Sequence, residues 1–296
     1  MSALLAKIPE LTDIAEVRFD LIASQDSCDV RAEQWVAWAL RIRQAQADGI
    51  VLIHGTDTMA YTASVLSFLL EERHRPVVLT GSQRPLSAVR NDARQNLVDA
   101  VTLAVGPVQE VMVCFDSLGL RGNRTLKRSS SAMAAFESPD CQPLVQLGVD
   151  IQWNAHCLRS GGLTRRLELG DAVRLSWVLP DVAAPPVWTP EGPGVHVIAT
   201  LGAGNVPLHT GWPELVAREA AAGVVHLAVS QCPHGGVQLG MYASSDVLSA
   251  AGVLSGGDLT YVAAIAKARV GLGQGFDPAQ LRAYLLAEVA GERTLE

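Results

Sequence analysis

The sequence predicts an α/β protein of two domains: a larger N-terminal domain built on a mostly parallel sheet with helices on both faces, and a smaller C-terminal α/β domain. Three observations lead there. Short apolar runs at Ile50–Ile53, Pro76–Thr80 and Val108–Phe115 are too short for buried helices, and each runs into a polar or glycine-containing turn. Stretches with helical spacing separate them, which is the βαβ rhythm of a parallel sheet. At 296 residues the chain is long enough for more than one core.

Composition excludes several classes. A hydrophobic fraction of 49% and a charged fraction of 18% are those of a globular protein. The net charge of -7 argues against nucleic acid as a partner, because phosphate binding needs a basic surface. The five cysteines (Cys28, Cys114, Cys141, Cys157, Cys232) form no paired framework, so reduced thiols and a cytoplasmic location are expected. No apolar run reaches the roughly 18 residues of a membrane helix, so no membrane partner is expected. Met1–Leu11 does not read as a signal peptide.

Glu16–Ser24 alternates like a half-buried strand and ends in the loop Gln25–Asp29. Glu33–Gln46 reads as an amphipathic helix that stops before Gly49. After the strand Ile50–Ile53 come His54-Gly55-Thr56-Asp57-Thr58 and a helix from Met59 to Leu70. The strand Pro76–Thr80 ends in Gly81-Ser82-Gln83-Arg84, and Asn91–Val105 is helical. Val108–Phe115 opens into the polar segment Arg121–Lys127, read as a loop. These features place the N-terminal domain at 1–154, a linker at 155–171 and the C-terminal domain at 172–296. In the latter, Val173–Leu179, Val195–Leu201 and Val224–Val229 read as strands. Glu214–Ala222, Ser245–Ala251, Asp258–Leu272 and Pro278–Val289 read as helices.

Several motifs invite chemistry and fall short. Gly202-x-Gly204 follows a strand as a dinucleotide fingerprint would, but Pro207 stands where its third glycine belongs. The seven histidines make no H-E-x-x-H or comparable pair, so neither a metal nor a cofactor is expected. Gln231-Cys232-Pro233-His234 reads as a strand-end cysteine rather than a nucleophile. Thr56-Asp57 taken alone reads as a helix N-cap. Three more polar loops at strand ends (Ser27-Cys28-Asp29, Gly81–Arg84 and Arg121–Lys127) change its weight. Together they would bring a lysine, a carboxylate and hydroxyls to one sheet edge, a set suited to nucleophilic acyl chemistry.

His54-Gly-Thr-Asp-Thr-Met-Ala-Tyr-Thr-Ala-Ser64, Leu79-Thr-Gly-Ser-Gln-Arg-Pro-Leu86 and Arg121-Gly-Asn-Arg-Thr-Leu-Lys127 resemble the bacterial L-asparaginase family, in particular its cytoplasmic type I branch. Ser230-Gln-Cys232 and Ala251–Thr260 resemble it too. The resemblance implies hydrolysis of L-asparagine to L-aspartate and ammonia through a threonine acyl-enzyme, with no metal or cofactor. It implies Thr56, Asp57 and Lys127 as the catalytic group. It implies Ser27 against the substrate's α-carboxylate, its neighbour Cys28 as substrate-binding, Asp57 on the α-ammonium, and Ser82 beside the scissile amide. A homodimer or homotetramer is implied as well, each site completed by a partner copy, with Gly204, Asn205 and Tyr242 as contributors.

The sequence departs from the family at one point. Family members open with a strand ending in Thr-Gly-Gly-Thr, whose first threonine belongs to the nucleophilic machinery, and those four residues occur nowhere here. Two expectations follow: a start placed downstream of that strand, or a chain that binds asparagine or aspartate without turnover. Without it, two strand edges are expected to lack a partner. A third reading, the asparaginase-like subunit of an archaeal transfer-RNA amidotransferase, is disfavoured by the missing N-terminal extension of that subunit.

Overall fold

The computed structural model describes residues 6–70, 75–154 and 166–294. It divides into two compact units, residues 1–165 and 166–296. Most of the linker expected at 155–171 (residues 155–165) lies outside the described residues. By Gly170 the chain is already bonded within the second unit, its amide donating to the Arg269 carbonyl at 2.8 Å.

The first unit holds a six-stranded sheet in the order β1-β2-β3-β4-β7-β8. Strands β1 (Ile50–Ile53), β2 (Val77–Thr80) and β3 (Val111–Phe115) pair in parallel, in the register Ile50↔Val77↔Val111. The short helix α1 (Leu11–Ile14) and α2 (Ala32–Gln44) precede β1; α3 (Met59–Leu69) and α4 (Ala93–Ala104) are the crossovers. Val78, Met112 and Cys114 pack with Ala100, Leu103 and Ala104 of α4. On the other face, Gly122 sits against both Ser67 of α3 and Val111, so α3 covers the Val77–Val111 side. Helices therefore cover both faces. Because β1, β2 and β3 are consecutive neighbours, crossovers on opposite faces have opposite hands, and one of them takes the uncommon left hand.

The parallel half is extended by antiparallel strands. Asp116 and Ser117, at φ 50° and 60°, form a two-residue turn of the primed kind that right-twisted hairpins favour. This turn starts β4 (Leu118–Arg121), which pairs antiparallel with β3. The segment read as a polar loop is thus β4, a 3-10 turn (Gly122–Arg124) and β5 (Leu126–Lys127). Arg121, Asn123, Arg124 and Thr125 are buried. Arg121 is tolerated there because Glu110 takes its guanidinium at 2.7 Å. β5 forms a hairpin with β6 (Phe136–Glu137); β7 (Val145–Leu147) and β8 (Ile151–Trp153) complete the large sheet.

One strand expected from the sequence is absent. Glu16–Ser24 has no ladder partner among the described residues, although Val17 and Phe19 bury one side against Leu97 and Val101. Alternation thus gave the segment a buried face, but only a neighbouring strand gives it a ladder. β1 is an edge strand, and Ile53 and Leu21 are 56% and 84% exposed.

The second unit is a parallel sheet in the order β12-β11-β10-β9: β9 (Val173–Trp177), β10 (Gly194–Thr200), β11 (Val224–Ser230) and the short β12 (Leu254–Ser255). One face packs Val195, Val197, Val225 and Leu227 on α7 (Tyr261–Gly273) and α8 (Pro278–Leu286). The other packs Ile198 and Ala228 on Trp212, Leu215 and Val216 of α5 (Trp212–Ala221) and on Leu248 of α6 (Ala243–Ala250). His196 and His226 are register partners on that second face, and Glu219 Oε2 lies 2.6 Å and 3.0 Å from their rings. The histidines the sequence left unconnected are therefore joined through a buried carboxylate from α5.

Candidate active site

Gly55 ends β1 with its Cα against Ser27, where a Cβ would fall 2.7 Å from the serine Cβ and Oγ. Glycine is what lets the turn and the Ser27 3-10 helix (Ser27–Asp29) touch. Gly81 does the same at the end of β2: a Cβ there would lie 2.2 Å from the His54 carbonyl oxygen. Two strand ends are thereby drawn together, and with them Thr56 and Gln83.

Thr56 is not the cap of its helix. The N-cap of α3 is Thr58, whose hydroxyl donates to the Ser27 carbonyl at 2.7 Å. The Thr56 hydroxyl faces Lys127 instead. Lys127 Nζ, brought by the β5–β6 hairpin, donates to Thr56 Oγ1 at 2.8 Å and to Asp57 Oδ1 at 2.6 Å. The Lys127 side chain is 17% exposed and that of Asp57 is 62% exposed. A hydroxyl, an amine and an open carboxylate thus share one cluster.

Below it, His54 is buried. Burial pushes its pKa down, and the hydrogen bond to Gly55 only partly offsets this. The ring's bonds settle its tautomer. The Gly55 carbonyl, 2.7 Å from Nδ1, can only accept, so Nδ1 carries the proton and Nε2 accepts from the Thr62 hydroxyl at 2.9 Å. Trp35 Nε1 donates to the same hydroxyl at 2.8 Å. Since the peptide is planar and trans, a Gly55 carbonyl turned to His54 sends the Thr56 N–H to the opposite side.

The expected residues fall as follows. Thr56, Asp57 and Lys127 meet. Ser27 is buried against Gly55, one turn from them. Ser82 is half-buried in the turn between Gly81 and Gln83. Cys28 is exposed and faces a shallow depression shared with Gln25, Arg31 and Gln34. A hydrogen bond with Asp26 raises its thiol pKa, helped by burial and by the charges of Asp26 and Asp57, so it is not held as a thiolate. In the second unit, Asn205 accepts from Ser244 at 2.7 Å and Tyr242 is 56% exposed.

Three residues were given no role by the sequence: Gln83, Asp92 and Asn96. Asp92 accepts from the Gln83 and Arg84 amides at 2.9 and 3.0 Å. Asn96 Nδ2 donates to Asp92 at 3.1 Å and to the Gly81 carbonyl at 3.0 Å. The turn after β2 is thus pinned to the start of α4. Only the placement of Gln83 beside Ser82 in a strand-end loop hinted at it.

Comparison with known proteins agrees with this architecture. The family model described as "Asparaginase, N-terminal" matches residues 1–159, and "Glutaminase/Asparaginase C-terminal domain" matches residues 190–285. L-asparaginase 1 of Escherichia coli is 32% identical over 97% of this chain and 86% of its own length. The 60 kDa lysophospholipase of Mus musculus is 38% identical over 91% of this chain and 50% of its own length. The crystal structure of L-asparaginase I from Vibrio cholerae superposes with a TM-score of 0.88 at 29% identity, covering 99% of this chain and 92% of that one. From its sequence relatives, its fold and its two matched domains, the chain belongs to the asparaginase family.

Proposed function

We propose that this protein hydrolyses L-asparagine to L-aspartate and ammonia through a threonine acyl-enzyme. The observation that carries this is Lys127 Nζ within hydrogen-bond reach of both Thr56 Oγ1 and Asp57 Oδ1. Its named relatives include L-asparaginases from Escherichia coli and Dirofilaria immitis.

A hydroxyl is a poor nucleophile at neutral pH and needs an adjacent base. Lys127, once it gives up a proton, takes the one on Thr56, and the oxygen so freed supports attack on the side-chain carboxamide. The C–O bond forms, the C–N bond breaks, and the amine leaves with the proton as ammonia. Water then cleaves the ester, releasing aspartate and restoring the hydroxyl. The Thr56 N–H, directed away from His54, is available to the oxyanion. Asp57 faces solvent and receives the α-ammonium, and Ser27 receives the α-carboxylate. A substrate cation on Asp57 also competes with Lys127 for that carboxylate, easing loss of the lysine proton.

A second reading is binding of asparagine or aspartate without turnover, for which the open Asp57 carboxylate and Ser27 would be enough. Ammonia release by the purified chain separates the two. Turnover that disappears in Thr56→Ala supports hydrolysis; aspartate binding with no ammonia supports the second. A homodimer or homotetramer, completed at each site by a partner copy, belongs to the same proposal.

A further inference from the structure

The Gln83 carboxamide makes two hydrogen bonds at once: Thr56 Oγ1 lies 3.2 Å from its Oε1, and its Nε2 donates to the Ala132 carbonyl at 3.0 Å. Their directions are forced. The Ala132 carbonyl can only accept, so the amide nitrogen faces it and the amide oxygen faces Thr56. Lys127 as an ammonium can only donate, so the Thr56 proton does not lie on the line to Nζ. The proton goes to Gln83.

Ala132 sits in the exposed tip of the hairpin whose stem, Leu126–Lys127 with Phe136–Glu137, carries the lysine. The tip has its own order: the amides of Ser131 and Ala132 both donate to Ser129 Oγ. Gln83 itself is fixed by its backbone bond to Asp92. One rigidly held carboxamide thus ties the hydroxyl of Thr56 to the hairpin that delivers its base.

We propose that Gln83 is a positioning residue for the reaction: it selects the Thr56 rotamer, holds the hydroxyl proton off Lys127 until substrate arrives, and clamps the Lys127 hairpin through Ala132. The role rests on the amide-hydrolysing reading of the site. The arriving substrate brings a carboxamide of the same kind, which takes over as the partner of the Thr56 hydroxyl as the proton turns to Lys127.

Two variants separate the two bonds. Gln83→Met removes both; kcat is expected to fall about tenfold, with the aspartate dissociation constant changed less than threefold, because the loss is in orientation rather than in substrate binding. Gln83→Glu keeps an acceptor for Thr56, cannot donate to Ala132, and sets a carboxylate beside Lys127. The ascending limb of its kcat–pH profile moves to higher pH, because the new charge retains the lysine proton. A clamp with only a structural role lowers both activities alike and leaves Thr56 in one rotamer in Gln83→Met, which overturns the proposal. So does an unchanged kcat in Gln83→Met. Three-bond couplings of the Thr56 methyl give a readout independent of turnover: one rotamer in the parent, averaging in Gln83→Met. A parent chain that releases no ammonia but shows this change sinks the hydrolase reading and leaves Gln83 only as the residue that sets the Thr56 rotamer. A parent with averaged couplings sinks the positioning role alone.

Discussion

Lys127 and Asp57 form a lopsided ion pair: Nζ and Oδ1 are 2.6 Å apart, with the lysine side chain 17% exposed and the aspartate 62% exposed. An exposed pair of this kind adds little to stability. On the proposed function its use is as a docking point, because the open side of the carboxylate can meet a second cation. Asp57→Asn is expected to raise KM for asparagine about tenfold or more, the usual worth of a charged hydrogen bond, while leaving the melting temperature within a few degrees. Steady-state kinetics with a melting curve decide it; a lower Tm with unchanged KM means that the pair is structural.

Lys127→Met removes the amine that Thr56 touches and fills its space with a chain of similar length. The expected loss in kcat is about 10²–10⁴-fold, the range for a positioned proton acceptor. Lys127→Arg keeps the positive charge, but a guanidinium does not give up its proton near neutral pH. Arginine is therefore expected to restore aspartate binding and not ammonia release. Recovery of kcat to within threefold of the parent by arginine contradicts the base role and leaves charge alone as the function.

The parts of this picture that the sequence disclosed share a cause. Ile50–Ile53, Val77–Thr80 and the helices after them are local patterns, readable from periodicity and glycine punctuation. What stayed hidden depends on pairing between segments or on a turn whose residues do not announce it. Arg121–Thr125 looked solvent-exposed because arginine, asparagine and threonine usually are, yet Glu110, eleven residues upstream in sequence, satisfies Arg121 in the core. The β3–β4 hairpin was missed because Asp116-Ser117 lacks the Asn-Gly or Asp-Gly signature while adopting the same positive φ at both positions. Gln83 was passed over because its partners, Thr56 and Ala132, are 27 and 49 residues away. The meeting of Thr56, Asp57 and Lys127 was legible from their strand-end loops, and their assignment as one group came from the resemblance.

Gly81 carries a prediction about how closely β1 and β2 converge. Its missing Cβ leaves room for the His54 carbonyl, which a methyl group would meet at 2.2 Å. The obstacle is backbone at the end of a strand, so neither side can rotate away. Gly81→Ala should cost about 1–3 kcal/mol, the usual price of overpacking. It should also separate Gln83 from Thr56, lowering kcat at temperatures where the variant is fully folded. Gly223→Ala, where no heavy atom lies within 4 Å of a built Cβ, is the control for a glycine with open space around it. Its backbone is left-handed at φ 85°, so it should lose some stability and no activity.

Acid should unfold the second unit through Glu219 and His226. Burial by itself raises the Glu219 pKa, but the His196 hydrogen bond and charge, the Trp188 amide and the His226 hydrogen bond outweigh it, taking the carboxyl from 4.5 down to about 2. A carboxyl depressed in the folded state contributes stability that is complete above 4.5 and is lost as pH falls towards 2. His226 acts in the same direction at higher pH. Burial lowers its pKa from 6.5 despite the pull of Glu219, so below 6.5 the unfolded chain takes up a proton that the folded one resists. Thermal melts should therefore show Tm falling from about pH 6.5 downward and more steeply below about pH 4.5. His226→Gln keeps a donor for Glu219 and removes the titrating ring, so its melts should be flatter between pH 7 and 5. Parent and variant curves of identical slope over that interval would falsify the assignment to His226. Glu219→Ala leaves both rings without their shared acceptor and is expected to cost about 3–5 kcal/mol at neutral pH. The loss should appear in the melting of this unit, since Arg174, Trp188, His196 and His226 all bond to that one carboxylate.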